Sequence, residues 1–192
     1  MSQRLIVCLT GMPGAGKSTV ASFLKEKGFL AITMGDAVRE EANRQRLEPT
    51  DANLGKLMLR LRQDLGPGAV AYLILQKLER EGNNFNNVVV DGIRSIHEVD
   101  VLRKIGYVKL LAIHASQDTR FRHQTKRKRS DAPTNTNEFM SRDKREISIG
   151  ISEAIALADE SISNNELTLE QLKEQACTII EEWLKEAKES SN

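Results

Sequence analysis

Short apolar runs alternate along this chain with longer stretches in which apolar residues recur every three or four positions. The short runs are typical of buried strands, and the longer stretches are typical of amphipathic helices. The predicted strands cover residues 5–9, 29–33, 88–91, 108–114 and 161–163. The predicted helices cover residues 17–27, 36–46, 51–65, 69–78, 95–104, 118–129, 138–147 and 153–157, and a last helix begins at residue 168. Because strands alternate with helices, we expect an α/β fold with three layers, in which a five-stranded parallel sheet carries helices on both faces.

Two polar pairs predict where helices begin. Ser95 with Glu98, and Thr168 with Gln171, have the spacing of a capping box, in which each side chain bonds to the backbone N–H of the other residue. The helix that begins at Thr168 carries an apolar stripe that includes Trp183. We expect this stripe to pack on the core, and a dimer face is the alternative.

The composition is that of an ordinary globular domain. The 192 residues suit a single domain, and the formal net charge of +1 gives no reason to expect a nucleic-acid partner. The two cysteines, Cys8 and Cys177, form no disulfide framework, which favours a reducing compartment. Since no apolar run approaches 18 residues, we expect a protein that does not span a membrane. We also expect it to be cytoplasmic, and either a monomer or a homodimer.

Residues 11–18 have the pattern G-x-x-x-x-G-K-[ST] of a phosphate-binding loop, with a predicted strand before it and a predicted helix after it. Glycines allow backbone N–H groups to surround a phosphate, and the helix adds the positive end of its dipole. The expected ligand is ATP, with GTP as the alternative, together with Mg²⁺. The competing interpretation is a glycine-rich turn with a solvent-facing lysine. The expected phosphate-binding residues are Gly11, Met12, Pro13, Gly14, Ala15, Gly16, Lys17, Ser18 and Thr19.

Asp91 follows three valines at the carboxyl end of a predicted strand, where ligands bind in sheets of this kind. A carboxylate there can hold a water molecule of a bound Mg²⁺, and the hydroxyl of Ser18 can bind the metal directly. We therefore predict Ser18 and Asp91 as the metal-binding residues. A helix cap at the strand end is the alternative role for Asp91.

Two arginines follow predicted strand ends and would face the same crevice. Arg39 and Arg94 could each grip a phosphate with the fork of the guanidinium group, or could form surface ion pairs. Phosphoryl transfer requires neutralised charge on both donor and acceptor, so these arginines favour a second phosphate site. A phosphate acceptor needs no catalytic base, whereas a hydroxyl acceptor would need one. Asp36 is the candidate for that base, and a helix N-cap is its alternative role.

A basic stretch flanks a polar loop between residues 118 and 147. It has three interpretations: a solvated helix face, a nucleic-acid patch, or a lid that closes over the transferring phosphate and excludes water. Phe121 alone is a poor stacking platform, which argues against nucleic acid. We favour the lid, formed by Arg127, Arg129, Arg142 and Arg145.

Several segments resemble adenylate kinases and related nucleoside monophosphate kinases. Residues 11–17 resemble their phosphate loop, residues 34–39 (M-G-D-A-V-R) resemble T-G-D-x-x-R, residues 91–94 (D-G-I-R) resemble D-G-F-P-R, and residues 142–146 (R-D-K-R-E) resemble the R-D-x-x-E of their lid. Residues 158–164 resemble a loop shared with dephospho-coenzyme A kinases. Residues 35–41 (G-D-A-V-R-E-E), 66–71 (G-P-G-A-V-A) and 91–95 (D-G-I-R-S) most resemble a mostly archaeal family of adenylate-kinase-related, dephospho-coenzyme A kinase-like proteins that has no agreed substrate. This resemblance spans nearly the whole chain.

The resemblance implies one P-loop kinase-like domain over residues 1–192, with an acceptor-binding helical insert at residues 34–82 and a lid at residues 120–147. The implied acceptor-binding residues are Gly35, Asp36, Arg39 and Arg94, and the implied catalytic residues are Lys17, Arg94, Arg127 and Arg142. The predicted function is transfer of the γ-phosphoryl group of ATP to a small phosphorylated acceptor, with a nucleotide such as AMP as the first candidate. Dephospho-coenzyme A is the second candidate, and an ATPase or switch that acts on a macromolecular partner is the alternative.

Overall fold

The five apolar runs form one parallel sheet. The computed structural model describes residues 4–81, 87–126 and 135–190. Within these residues the strands are β1 (Leu5–Thr10), β2 (Leu30–Thr33), β3 (Val88–Ile93), β4 (Tyr107–His114) and β5 (Glu160–Ser163). Their spatial order is β2-β3-β1-β4-β5, and all neighbouring strands are parallel. The predicted five-stranded parallel sheet is therefore confirmed.

Helices connect the strands and cover both faces of the sheet. The helices of the described residues are α1 (Lys17–Glu26), α2 (Met34–Arg44), α3 (Asp51–Leu65), α4 (Ala69–Glu81), α5 (Ile96–Leu102), α6 (Gln117–Lys126), α7 (Thr136–Ile149), α8 (Ile151–Ala156) and α9 (Leu169–Glu189). Each predicted helix is present, with boundaries shifted by a few residues, and residues 127–129 of the predicted basic helix lie outside the described residues. None of the described helices has both the length and the apolar character needed to cross a bilayer.

β1 lies at the centre of the sheet and is buried on both faces. Leu5, Val7 and Leu9 pack in the core on the side of α1 and α9. Ile6 and Cys8 pack in a second core, which α2 to α5 and α8 cover. A strand in this position needs apolar side chains at every residue, which is why a continuous apolar run predicted it.

The connections after two neighbouring strands leave the sheet on opposite faces. α1 follows β1 and packs on one face, whereas α5 follows β3 and packs on the other face. Ligands of open α/β sheets bind in the crevice that such a divergence leaves at the carboxyl ends of the strands. Leu9 of β1 is in register with Asp91 of β3, and the Thr10 hydroxyl donates to the Ile93 carbonyl oxygen over 3.0 Å. The two strand ends that border the crevice are therefore fixed relative to each other.

One of the two predicted capping boxes is confirmed and the other is wrong. Thr168 and Gln171 bond to each other's backbone N–H groups at the start of α9. Ser95 precedes α5, but its side chain makes no capping hydrogen bond. The carboxylate of Glu98 accepts instead from the backbone N–H of Arg94, over 2.8 Å, and from the side chain of Arg62. The Glu98 side chain therefore binds a residue of α3 and the backbone one residue before Ser95, and not the Ser95 N–H that the capping box requires.

α9 packs its apolar stripe against the sheet. The buried residues of this helix are Leu172, Ala176, Ile180, Trp183 and Ala187. Leu169 also belongs to the predicted stripe, but it lies in the first turn and is 55% exposed. The expectation of core packing is therefore confirmed for the stripe beyond its first residue.

Trp183→Ala should lower the free energy of unfolding by about 3–5 kcal/mol, because Trp183 is only 3% exposed and its removal leaves a cavity. Leu169→Ala, on the same helix, is the matched control and should change the free energy by about 0.5 kcal/mol or less. Urea unfolding followed by far-UV circular dichroism measures both variants, since Trp183 is the only tryptophan and fluorescence would be lost. Equal effects of the two substitutions would contradict this packing.

Candidate active site

The loop between β1 and α1 is tightly wound and closely packed. Gly14 and Gly16 have φ angles of 87° and 115°, in the left-handed region that other residues rarely adopt. A Cβ atom at Gly14 would lie 2.6 Å from the carbonyl oxygen of Arg120, and one at Gly16 would lie 2.5 Å from Nδ2 of Asn164. Both glycines are therefore required by the backbone conformation and by the close approach of neighbouring segments.

Side chains outside this loop hold three successive carbonyl groups of the loop. The contacts join Nε2 of Gln124 to the Pro13 oxygen (3.0 Å), Nδ1 of His123 to the Gly14 oxygen (2.9 Å) and Nδ2 of Asn164 to the Ala15 oxygen (2.8 Å). Since a carbonyl only accepts, Nδ1 of His123 carries the proton. The C=O and N–H of one planar trans peptide point in opposite directions, so the N–H groups of Gly14 and Gly16 are directed away from these side chains. Such an arrangement of N–H groups suits an anion.

Lys17 is the first residue of α1 and lies against the same loop. Its Nζ donates to the carbonyl oxygens of Gly11 and Met12 over 2.6 and 3.3 Å. Gly16 is the N-cap of α1, and the first turn of the helix contains no acidic residue. The ammonium group and the positive end of the helix dipole therefore adjoin one loop.

Ser18 and Asp91, the predicted metal-binding residues, offer a hydroxyl and a carboxylate. Ser18 is the second residue of α1, and Asp91 is on β3 in register with Leu9 of β1. Among the described residues, no group of three or more His, Cys, Asp or Glu side chains could hold a metal ion. Mg²⁺ prefers oxygen ligands and commonly combines one or two protein oxygens with phosphate oxygens. Ser18 and Asp91 therefore fit a phosphate-bound Mg²⁺ better than a metal site made by the protein alone.

A cleft of about 520 Å³, counting the space open to solvent, lies between α2, α3, α7 and the end of β3. Its lining residues are Gly35, Val38, Arg39, Leu54, Gly55, Met58, Arg94, Arg142, Arg145 and Glu146. The four arginines come from three separate segments of the sequence, and the fold brings them to one cavity. Val38, Leu54 and Met58 supply an apolar wall to the same cleft. The cleft can therefore receive an anionic group and an apolar group side by side.

Asp36 lies beside this cleft but is not one of its lining residues. Its carboxylate accepts from Nη1 of Arg39 over 2.8 Å, and both side chains are exposed. The expected alternative role as N-cap of α2 is wrong, because the helix begins earlier, at Met34. Thr33 is the N-cap, and its hydroxyl accepts from the backbone N–H of Asp36 over 3.0 Å. In the described structure Asp36 thus orients Arg39.

Arg94 and Glu146 form an ion pair across the cleft. Nε of Arg94 donates to Oε2 of Glu146 over 2.5 Å, and Nη2 lies 3.5 Å from Oε1. Burial alone would raise the pKa of Glu146, but the charges of Arg94, Lys17 and Arg142 outweigh it and hold the pKa below its ordinary value of 4.5. Burial opposes the charge of Arg94 as well, but the neighbouring carboxylates, led by Glu146, raise the pKa of the guanidinium group above its ordinary value. The pair is thus buried and charged, and a surface ion pair is the wrong description of Arg94.

Arg120 belongs to the basic stretch but is buried between α6, α7 and the phosphate loop. Its two Nη atoms donate to the carboxylate of Asp143 over 2.9 and 2.6 Å, and Nη1 also lies 3.3 Å from the Pro13 carbonyl oxygen. The guanidinium carbon lies 5.0 Å from the ring centre of Phe139. For this residue the interpretation as a solvated helix face is wrong.

The predicted lid arginines divide into two pairs. Arg142 and Arg145, on α7, line the cleft. Arg127 and Arg129 lie outside the described residues. The structure therefore places half of the predicted lid set at the candidate site.

The sequence patterns did not indicate several side chains that hold the loop and the charged residues of the site in place. Reasoning from these patterns did not single out Gln124 as a partner of the loop, Asp143 as the partner of Arg120, or Arg62 as the partner of Glu98. Gln124 follows Arg120 by one helical turn, so both face the loop from α6, and this spacing was a usable signal. The pairs with Asp143 and with Arg62 join distant segments, and no local pattern indicated them.

The chain matches one family model and several related proteins. Residues 10–140, which include the phosphate loop and the helices of the cleft up to the first turn of α7, match the model of a family described as an AAA domain. A UPF0200 protein from Pyrococcus abyssi is 45% identical over 165 residues, which cover 84% of this chain and 88% of that protein. The chain belongs to the UPF0200 family. A second UPF0200 protein, from Methanocaldococcus jannaschii, is 39% identical over 94% of this chain and 91% of its own length. The expected membership of a mostly archaeal, adenylate-kinase-related family is confirmed.

Solved structures share the fold of this UPF0200 protein. TT1252 from Thermus thermophilus has a TM-score of 0.61 and 18% identity, covering 93% of this chain and 97% of its own. A shikimate kinase from Bacteroides thetaiotaomicron has a TM-score of 0.53 and 16% identity, covering 94% and 98%. At these identities the likeness concerns the fold alone, and it confirms the expected three-layer, P-loop kinase-like architecture.

Glu146→Gln should lower the free energy of unfolding at neutral pH by about 3 kcal/mol, because Arg94 would keep its charge without the buried partner. The folded pKa of Glu146 is lowered, so the contribution of the pair is complete above the ordinary value of 4.5 and is lost as the pH falls through the folded pKa. The difference between wild type and variant should therefore stay constant from about pH 7 to about pH 5 and shrink in more acidic solution.

Urea unfolding at a series of pH values measures this difference. Glu153→Gln, on the exposed side of α8, is the control and should leave the pH dependence unchanged. A difference for Glu146→Gln that persists undiminished at about pH 3 would contradict the charged pair.

Proposed function

We propose that this protein transfers the γ-phosphoryl group of ATP to a small phosphorylated acceptor. The observation that carries the proposal is the cleft into which Arg39, Arg94, Arg142 and Arg145 converge. A phosphate loop by itself is compatible with many nucleotide-dependent functions. A second site lined by arginines is what a phosphotransferase needs in addition, because charge must be neutralised on both substrates.

In the proposed donor site, backbone N–H groups of the loop, including those of Gly14 and Gly16, surround the phosphates of ATP. Lys17 exchanges its bonds to the Gly11 and Met12 carbonyls for bonds to phosphate oxygens, and Ser18 and Asp91 hold Mg²⁺. A Mg²⁺ ion held by Ser18 and Asp91 would supply positive charge to the phosphates. Nothing in these contacts involves the base, so GTP would satisfy them equally, and ATP is proposed from the family resemblance.

In the proposed acceptor site, Arg39 and Arg94 hold the acceptor phosphate, and Arg142 neutralises the group in transfer. The P–O bond from the γ-phosphorus to ADP breaks as a bond to an acceptor oxygen forms, and ADP leaves. The charges of Arg94, Lys17 and Arg142 all lower the pKa of Glu146. Their action on one carboxylate supports a reaction site that these three residues share. Catalytic roles for Lys17, Arg94 and Arg142 follow from this arrangement, whereas that for Arg127 rests on the resemblance alone.

Two segments of the chain would build the acceptor side. We assign residues 34–82 to an acceptor-binding insert, since α2 and α3 supply six of the ten residues that line the cleft. We assign residues 120–147 to a lid, since α7 supplies Arg142, Arg145 and Glu146. Closure of such a lid would exclude water and so prevent wasteful hydrolysis of ATP.

A phosphate is the acceptor group that the geometry favours. It is anionic at neutral pH and needs no base, which agrees with the engagement of Asp36 by Arg39. A hydroxyl acceptor, as in dephospho-coenzyme A, would require a carboxylate free to take a proton. A nucleotide such as AMP is the first candidate, with its phosphate on the arginines and its base against Val38, Leu54 and Met58.

Lys17→Ala should weaken ATP binding by about 10- to 100-fold, because a charged hydrogen bond to a phosphate contributes about 1.5–3 kcal/mol. Isothermal titration calorimetry with ATP and Mg²⁺ measures this loss. Lys25→Ala, in the last turn of the same helix and exposed, is the matched control and should bind ATP like the wild type. Wild-type affinity in Lys17→Ala would exclude the proposed donor site.

Arg39→Ala should lower kcat/KM for the acceptor by about 10- to 100-fold, through loss of one charged contact, and should leave ATP affinity unchanged. Arg44→Ala is the matched control, since Arg44 is on the same helix, is exposed and pairs with Glu41 outside the cleft. The assay incubates the protein and ATP with nucleoside monophosphates, dephospho-coenzyme A and other phosphorylated metabolites, and detects products by mass spectrometry.

Two outcomes of that assay would count against the proposal. If no compound in the panel gains a phosphoryl group, the phosphotransferase assignment fails. ATP hydrolysis that needs no acceptor and is stimulated by a macromolecule would favour a switch or an assembly ATPase instead.

A further inference from the structure

Two charged side chains are buried together between α3 and α5. Nη2 of Arg62 donates to Oε1 of Glu98 over 2.6 Å, and the two side chains are 11% and 1% exposed. Neither residue lines the cleft. Two further donor atoms of Arg62, Nε and Nη1, are buried without a hydrogen-bond partner among the described residues. A buried ion pair with unsatisfied donors is a poor means of stabilising a fold, so stability alone does not account for this pair.

The second oxygen of Glu98 holds the backbone of Arg94. Oε2 accepts from the Arg94 N–H over 2.8 Å, a charge-assisted hydrogen bond. Arg94 is the first residue after β3, where the chain leaves the sheet. Its guanidinium group is held from the other side by Glu146 over 2.5 Å. Arg94 is therefore fixed at both ends, by Glu98 at the backbone and by Glu146 at the side chain.

Arg62 connects this arrangement to the part of the cleft wall that α3 supplies. Leu54, Met58 and Arg62 are spaced four residues apart on α3 and so share one face of the helix. Leu54 and Met58 line the cleft, and Arg62 continues the same face toward α5. Through Glu98, the ion pair thus joins the apolar wall on α3 to the backbone of Arg94.

We propose that Arg62 and Glu98 are positioning residues of the acceptor site, which hold the Arg94 backbone and the α3 wall at the separation that an anionic acceptor requires. This inference rests on the proposed function, since it takes the cleft to be an anion site. The two residues do not touch the acceptor, and they act through Arg94 and α3. Their loss should reduce anion binding in the cleft and leave the donor loop, on the other side of β3, unaffected.

Three double variants separate positioning from stability. Arg62→Met with Glu98→Leu removes both charges and the acceptor for the Arg94 N–H. Arg62→Met with Glu98→Gln also removes both charges, but it keeps a side-chain oxygen that can accept from that N–H. Arg103→Met with Asp100→Asn is the matched control, since this exposed pair at the end of α5 has neither contact. Replacing both members of the buried pair avoids an uncompensated buried charge, so the variants should fold.

Amide hydrogen exchange of Arg94 and titration with inorganic phosphate are the two measurements. In the variant with Arg62→Met and Glu98→Leu (the Leu variant), the Arg94 amide should exchange at least about tenfold faster than in the wild type. This variant should also bind phosphate about tenfold more weakly. Phosphate binding is followed at the Arg94 Nε–H resonance, which Arg94→Lys identifies by its disappearance. The Gln variant and the control pair should retain the protection and the phosphate affinity within about threefold of wild type. ATP affinity should be the same in all of them.

Wild-type protection of the Arg94 amide in the Leu variant would overturn the inference. So would equal losses of phosphate and ATP affinity in the Leu and Gln variants, because these would indicate a general structural role. If phosphate leaves the Arg94 resonance of the wild type unmoved, the acceptor site itself fails. The exchange data still decide whether Glu98 positions Arg94, so the two failures can be told apart.

Discussion

Repulsion among four arginines that converge on one cleft is the constraint that the surrounding structure must satisfy. Unscreened like charges in a partly buried space destabilise each other strongly. Carboxylates placed beside the guanidinium groups offset this repulsion: Asp36 holds Arg39 over 2.8 Å, and Glu146 holds Arg94 over 2.5 Å. Each carboxylate engages one part of a guanidinium fork and leaves further N–H donors for a ligand. The cleft therefore stays positively charged, yet Arg39 and Arg94 are held in place before any anion arrives.

Charged residues of α7 contact both parts of the site, the arginine cleft and the side chain of Arg120 next to the phosphate loop. The arginines of α7, Arg142 and Arg145, line the cleft, while Asp143 binds Arg120 and Glu146 binds Arg94. Arg120 in turn contacts the carbonyl oxygen of Pro13 in the phosphate loop. A movement of α7 would therefore alter the loop and the arginine cleft together. Such coupling suits a reaction between two bound substrates better than the binding of one nucleotide.

Sequence reasoning succeeded where neighbours along the chain determine the structure. The strands, the phosphate loop, the capping box at Thr168 and the convergence of arginines at strand ends all follow from local pattern and from the geometry of parallel sheets. It failed at Glu98, whose spacing from Ser95 is that of a capping box. Glu98 is fully buried, and its carboxylate binds the charged side chain of Arg62, 36 residues away, and the backbone N–H of Arg94 instead of the backbone N–H of Ser95. The pair of Arg94 and Glu146 joins residues 52 apart and was likewise invisible to any local rule.

Buried polar atoms without hydrogen-bond partners lower the stability of the fold, so the side chains that carry them must be kept for the contacts that their other atoms make. Oε1 of Gln124 is buried without a hydrogen-bond partner in the described residues, which costs about 1–3 kcal/mol, yet Nε2 of the same amide holds the Pro13 carbonyl. Arg62 shows the same pattern beside the arginine cleft, where two unsatisfied donors accompany the bond to Glu98. An apolar residue at either position would remove the cost and also the contact. Gln124 thus holds the phosphate loop and Arg62 holds Glu98 behind the arginine cleft, each through a polar contact that is kept although the same side chain has buried atoms without partners in the described part of the chain.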